Sequence, residues 1–416
     1  FNSSTKIGNG QHHRVKYNIF TKLWVVCRRC HLANKINRRM AGAMIFPSRR
    51  LRATPFTARV SKLGVSGFTV YNHMLLPTVF ESLQEDYKHL KEYVQIWDVS
   101  VERQVQLLGE DAHKLACMIS ARDLTNAQTG RCYYAPICDQ SGAIINDPIA
   151  LRLADDKYWF SIADSDLLLW VQGIALGLDL NVEICEPDVS PLAIQGPMAE
   201  DLMADVFGPE IRNIKFFHFK EFPFNGRMLN IARSGWSKQG GFEIYLNDTQ
   251  LGPELWDTIW EKGKKYNIRP GCPNLIERIE AGLLSYGNDM NREDTPLEIG
   301  LEKYISLDSN VEFIGKKALL KQRKDGIKKR LLGIEMDGTE MPPLSMPEEV
   351  FKDGKKIGIV TSAVFSPDYK GNIGFAMIEA SNATAGTEVS VDSKAGIRKG
   401  KLCEIGDFWS QIQLKN

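Results

Sequence analysis

The chain has 416 residues, 43% of them hydrophobic and 25% charged, with 52 Lys and Arg against 51 Asp and Glu. This composition excludes a disordered chain, a collagen-like fibre and a small disulfide scaffold, and the length suggests roughly two or three domains with ample core. A net charge of +1 argues against a dedicated nucleic-acid binder, and no apolar run approaches the roughly 18 residues that a membrane-spanning helix needs.

The first segment differs from the rest. No Asp or Glu precedes Glu81, whereas twelve Lys and Arg occur up to Arg52. Two origins fit this bias: an organellar transit peptide, or translated upstream sequence with Met40 as the start. The lack of a clean amphipathic repeat favours the second, so residues 1–39 are expected to lie outside the fold and a cytoplasmic location is expected. Cys27-Arg28-Arg29-Cys30-His31 has the spacing of a haem-attachment site. No apolar context or second ligand pair accompanies it, so neither haem nor zinc is expected.

Further along, Gln104–Leu108 alternates as a strand before Gly109, and residues 111–118 form a helical pattern with Asp111 as its cap. Residues 149–153 and 158–162 suggest a hairpin turning at Asp155-Asp156. Residues 165–176 are an apolar helix. Residues 228–232 and 242–245 are strands around a polar turn, 251–265 an amphipathic helix, and 316–324 a basic helix ended by Asp325-Gly326. Beyond residue 325 the chain turns β-rich, with Gly and Pro at short intervals. The expected class is α+β, with residues 48–325 as two intertwined α+β domains and 326–410 as a β-barrel or jelly roll.

Several enzyme classes lose their usual support. The sequence contains no G-x-G-x-x-G, no P-loop and no G-x-S-x-G. No two of the seven His stand at i, i+4. Cys117, Cys132, Cys138, Cys185, Cys272 and Cys403 are scattered, as expected of reduced and mostly buried thiols.

Four segments carry a resemblance when taken together. Gly142-Ala143-Ile144-Ile145-Asn146-Asp147-Pro148-Ile149 is similar to G-G-I-I-D-D-L-I. Arg233-Ser234-Gly235-Trp236-Ser237-Lys238-Gln239-Gly240-Gly241-Phe242-Glu243-Ile244 resembles R-x-G-Y-T-G-E-D-G-F-E-I. Arg278-Ile279-Glu280-Ala281-Gly282-Leu283-Leu284-Ser285-Tyr286-Gly287-Asn288-Asp289 is close to R-L-E-A-G-L-x-L-Y-G-N-D, and Val360-Thr361-Ser362-Ala363 with Ser366-Pro367 and Asn372-Ile373-Gly374 follows in the β-rich tail. In this order, over about residues 54–390, they resemble the aminomethyltransferase (glycine-cleavage T-protein) family. Tyr71-Asn72-His73-Met74-Leu75-Leu76-Pro77 and Arg269-Pro270-Gly271-Cys272-Pro273-Asn274 look like that superfamily's dimethylsulfoniopropionate demethylase branch. The resemblance implies three domains in a cloverleaf around a folate-binding hole. It implies methyl transfer from a sulfonium to tetrahydrofolate, with small molecules as partners, no nucleic acid, no membrane, and a homodimer left open. Asn146 for the first Asp of the D-D pair, Trp236-Ser237-Lys238-Gln239 for Y-T-G-E, and Asn274 in place of an Arg depart from the glycine-cleavage pattern.

The resemblance assigns Asp147 to the folate–donor junction as the catalytic carboxylate, by hydrogen bonding, attraction of the sulfonium, or proton acceptance; a turn Asp before Pro148 is the plain reading. Glu243, on an otherwise apolar strand, needs donors, and a pterin offers paired N–H groups. Tyr134 and Phe217 would stack on the folate or simply pack. Trp236 and Tyr245 flank Glu243, and aromatic faces attract onium cations. Ser237 or Lys238 would hold the donor carboxylate, with a merely solvated Lys238 the plainer reading, and Arg278 would pair with Glu280 or with the carboxylate end of the folate, or equally make a structural salt bridge. The basic helix from Lys316 to Lys324 and Lys328-Lys329-Arg330 could attract a polyglutamyl tail, although charge runs are usually solvated, which is the favoured reading. Aminomethyl transfer from a lipoyl carrier, demethylation of a methylamine or betaine, and a non-catalytic folate-binding assembly protein are the alternatives.

Overall fold

The structure, a computed structural model, describes residues 48–415. The basic leader and its C-x-x-C-H run lie outside the described residues. A six-stranded sheet runs in the order Phe219–Phe224, Arg227–Ala232, Gly241–Leu246, Ser190–Gln195, Gln95–Asp98, Arg269–Gly271, antiparallel except for the last pair. Helices Ala199–Phe207 and Gly252–Gly263 supply Leu202, Met203, Leu255 and Ile259 to the core on one face, against Ile194, Ile231, Phe242 and Ile244.

Between its first and second strands in sequence, the chain leaves to build a five-stranded antiparallel sheet. Its order is Glu183–Cys185, Gln104–Leu108, Lys157–Ser161, Ile149–Ala154, Cys132–Tyr134. Helices Ala112–Ile119 and Leu167–Gly177 pack Leu115, Ile119, Leu167 and Val171 against Val105, Leu107, Ala150 and Phe160. The predicted strands and the Asp155-Asp156 turn are present. Asp111 stands at the N-cap as expected, but its side chain makes no capping hydrogen bond: it accepts from the Asn181 N–H at 2.8 Å and from Lys114, tying a neighbouring loop to the start of the helix. The amphipathic helix stops at Gly263, where 3₁₀ turn Lys264–Tyr266 runs into Asn267 at φ 54°.

The β-rich tail is a closed barrel in the order Lys329–Met336, Gly371–Glu379, Lys355–Ser366, Glu348–Lys352, Glu388–Ser393, Gly396–Cys403, filled by Leu332, Ile334, Val350, Val360 and Val391. Closure removes sheet edges. Helix Asp407–Lys415, which the β-rich composition did not announce, buries Phe408 edge-on to Tyr369. Phe408 shares a core with Ile276 and Ile279 of helix Leu275–Glu280. Among the described residues all six cysteines are free, and no helix is long and apolar enough to cross a membrane.

Candidate active site

The described residues enclose a cavity of about 1400 Å³ to which both sheets, the Leu275–Glu280 helix and the barrel contribute. It receives Asp147, Tyr134, Phe217, Glu243, Trp236, Ser237, Lys238 and Arg278, which sequence reasoning had placed at one site.

Glu243 reaches the cavity through strand alternation. In Gly241–Leu246, Phe242 and Ile244 point into the apolar core and Glu243 to the other face. Its cross-strand neighbours are Ala193 and Ala232, so two small side chains leave the space open. One oxygen accepts from the Ser234 hydroxyl. Burial raises its pKa, with Ser234 opposing.

Asp147 follows the short strand Ile144–Asn146. Asn146 is fully buried and fastens the segment: its amide donates to Ala163 O at 3.0 Å and Ser165 Oγ at 2.8 Å and accepts from the Ala163 N–H at 3.0 Å. The Asn that departs from the D-D pair is thus a tether. Asp147 Oδ2 accepts from Tyr134 Oη at 2.9 Å, while buried Oδ1 has no partner among the described residues. Burial pushes its carboxyl up to about 7, against the Tyr134 hydrogen bond. Tyr134 stands edge-on to Tyr304, ring centres 4.7 Å apart.

Residues 234–240 form an irregular loop rather than a tight turn, and two buried side chains brace it. Gln195 accepts from Ser237 Oγ at 2.8 Å and donates to Ser234 O at 3.2 Å. Glu277 Oε1 accepts the Lys238 backbone N–H at 2.6 Å. The loop lies so close to Gln195 that a Cβ on Gly235 would fall 2.1 Å from its amide. Phe217 holds a left-handed backbone, φ 58°, between the Arg233 carbonyl and the Cys132 N–H. Its ring is 4.8 Å from that of the exposed Phe216.

One expectation is corrected and two are narrowed. Tyr245 lines no part of the cavity: on the face of Glu243 but two residues further, it is 1% exposed and packs beside Trp159 at 6.1 Å. Arg278 pairs with Asp289 at 2.7 Å and donates to Ser362 Oγ and Leu283 O, not to Glu280, whose carboxylate accepts from Tyr87 and Ser366. Of the basic run, the helix does not line the cavity, with Lys316 buried on Ser309 O and Val311 O and Arg323 paired with Asp308, whereas Arg330 does line it.

Tyr71, Glu102 and Asp164 also line the cavity and were missed. They meet through loops distant in sequence. The available signal was the Asn72-His73 pair between two apolar runs, a turn with both φ positive (47° and 63°). Burial raises the Glu102 carboxyl well above its usual range, and Glu243 and Asp147 add to this. Lys238 and Lys303, also on the wall, make no ion pair among the described residues. The cavity therefore has an acidic floor and unpaired cations.

Residues 56–309 match the GCVT N-terminal domain, and residues 329–404 match the glycine cleavage T-protein C-terminal barrel domain. The chain belongs to the glycine cleavage T-protein family. Within that family it is 50% identical over 367 residues to the dimethylsulfoniopropionate demethylase DmdA of Ruegeria pomeroyi, covering 88% of this chain and all of that protein. It is 31% identical over 323 residues to the aminomethyltransferase of Thermoanaerobacter pseudethanolicus, covering 76% and 86% of the two chains. The T-protein fold is seen in the glycine cleavage system aminomethyltransferase T of Bartonella henselae, with a TM-score of 0.77 at 21% identity over 86% of this chain and 98% of that one.

Proposed function

We propose that this chain is a tetrahydrofolate-dependent demethylase that moves a methyl group from dimethylsulfoniopropionate to tetrahydrofolate, giving methylmercaptopropionate and 5-methyltetrahydrofolate. The observation that carries the reading is Asp147: a buried carboxyl on the cavity wall, one oxygen held by Tyr134 and the other without a partner among the described residues. The 50% identity to a dimethylsulfoniopropionate demethylase along that protein's whole length supports this choice of donor.

The residues fit a folate. Glu243 lines the cavity with one oxygen held by Ser234, and a carboxylate there suits the N–H donors of a pterin. Tyr134 and Phe217 offer rings beside it. Tetrahydrofolate, when bound, supplies the nucleophilic N5. The donor needs no leaving-group activation: as the N5–CH₃ bond forms, the S–CH₃ bond breaks and its electron pair departs on a neutral thioether. Two tasks fall to the chain. The first is alignment, which is worth about 7–11 kcal/mol in favourable cases; the braced 234–240 loop and the Asn146 tether serve it. The second is accepting the proton that N5 loses, assigned to Asp147, whose carboxyl near 7 is poised for transfer at neutral pH. Lys238, exposed and with its ammonium 5.8 Å from the Trp409 ring, is placed to meet the donor carboxylate.

The test is incubation of the purified protein with tetrahydrofolate and dimethylsulfoniopropionate, with assay of both products. Equal amounts of methylmercaptopropionate and 5-methyltetrahydrofolate support the reading. Neither product from folded, folate-binding protein refutes it.

A further inference from the structure

We propose that Glu102 and Tyr71 form the seat for the cationic end of the methyl donor. The proposal rests on the demethylase reading and locates within the cavity what that reading leaves open.

Glu102 stands just past strand Gln95–Asp98, in a turn closed by its N–H on Val99 O at 2.9 Å. Its side chain lines the cavity and makes no hydrogen bond or ion pair among the described residues. The adjacent Arg103 is committed to Glu186. The charged groups acting on Glu102 from the neighbouring walls are Glu243 and Asp147, both acidic. A carboxylate placed among carboxylates, with no cation of the protein on it, is costly unless a ligand brings positive charge.

Tyr71 ends the first strand of ribbon Gly67–Tyr71 and Met74–Val79. The next residue locks the ribbon tip against the Glu102 loop. Buried Asn72 donates its amide to Val101 O at 3.0 Å and Ala163 O at 3.2 Å, and its N–H to Asp164 Oδ1 at 2.8 Å. The charges acting on the Tyr71 hydroxyl are Glu102, Asp147 and Asp164. Trp236, the other aromatic candidate, already has the Arg278 guanidinium 6.0 Å over its ring, where a second cation would meet like charge. A sulfonium or quaternary ammonium carries no N–H or O–H donor. It is recognised by charge and by aromatic faces, which Glu102 and Tyr71 supply together.

The test compares binding of 3-(trimethylammonio)propionate with its neutral isostere 4,4-dimethylpentanoate by calorimetry, in wild type, Glu102→Gln, Tyr71→Leu and Tyr71→Phe. A parallel assay measures dimethylsulfoniopropionate demethylation. The expected result is a loss of about tenfold or more in ammonium affinity in Glu102→Gln and Tyr71→Leu, retention in Tyr71→Phe, and neutral-isostere binding within about twofold of wild type throughout. Unchanged ammonium binding in folded Glu102→Gln, or no preference for the cation in wild type, overturns the seat. A wild type that demethylates the sulfonium while Glu102→Gln binds as before leaves the demethylase reading standing without the seat. Glu102-dependent binding with no demethylation by wild type leaves the seat standing without that reading.

Discussion

Glu277 Oε1 accepts the backbone N–H of Lys238 at 2.6 Å, and among the described residues its buried second oxygen makes no well-formed hydrogen bond, with the Gln239 amide beside it. One carboxylate on helix Leu275–Glu280 thereby holds the loop that carries Trp236, Ser237 and Lys238. Burial pushes it up to about 7, with the Lys238 N–H and Gln239 opposing. Glu277→Leu removes the acceptor and is expected to raise the donor KM by about tenfold, the scale of one charge-assisted hydrogen bond. Glu277→Gln keeps an acceptor and restores most of the affinity. In wild type the bond is strongest above pH 7 and weakens as Glu277 protonates, so the donor KM rises on acidification; steady-state kinetics from pH 5.5 to 8.5 checks this, with the acid limb flattened in Glu277→Gln.

Asp147→Asn keeps the shape of the side chain and removes the proton acceptor. The expected loss in kcat is about 10²- to 10⁴-fold, with folate affinity within a few-fold of wild type by fluorescence titration. In wild type kcat rises with pH through about 7, as the carboxylate forms. The stability sign is opposite. The folded group binds its proton more tightly than the unfolded one, so its ionisation costs stability progressively as pH rises from about 4 to 7. Asp147→Asn is therefore expected to melt higher than wild type at pH 8, by about 2 °C, with the advantage gone at pH 4.

Gly241 has φ 149°, and a Cβ there would lie 2.2 Å from Ile194 O and 2.6 Å from the Gln195 amide. Gly241→Ala must therefore push apart the strand that carries Glu243 and the strand that carries Gln195. A loss of about 2–4 kcal/mol is expected in denaturant unfolding, in the range for strain at a special backbone position combined with overpacking.

The Arg278–Asp289 pair is buried on both sides, and Asp289 also accepts from Thr361 and Ser362 of the barrel. Asp289→Ala leaves a guanidinium without its counter-charge, and a loss of about 3–5 kcal/mol is expected. Asp289→Asn, which keeps the acceptor oxygen, should lose less. Thermal melting of the two variants beside wild type measures the difference.

Sequence patterns carried much of the fold and part of the site. Alternation in Gln104–Leu108 and in residues 242–245 predicted strands, and it put Glu243 on a different face from Phe242 and Ile244. It could not say how deep that face was buried at each step, so Tyr245 was placed at the cavity when it lies under Trp159. Motif order brought Asp147, Trp236 and Arg278 together, but it could not supply the partner of Arg278, because Asp289 reaches it only when the loop after the helix folds back. Glu102 and Tyr71 were illegible for a related reason: 31 residues apart, they are joined by the side chain of Asn72, whose role depends on a turn geometry and on carbonyls from two other loops.

The most direct measurement follows the methyl group itself. The full chain is mixed in a single turnover with tetrahydrofolate and dimethylsulfoniopropionate carrying ¹³C in its S-methyl groups, and the products are read by NMR. One labelled methyl arriving on N5 for each methylmercaptopropionate released, and none in Asp147→Asn on that timescale, is the predicted result. Label remaining on sulfur while folate is bound would contradict the account.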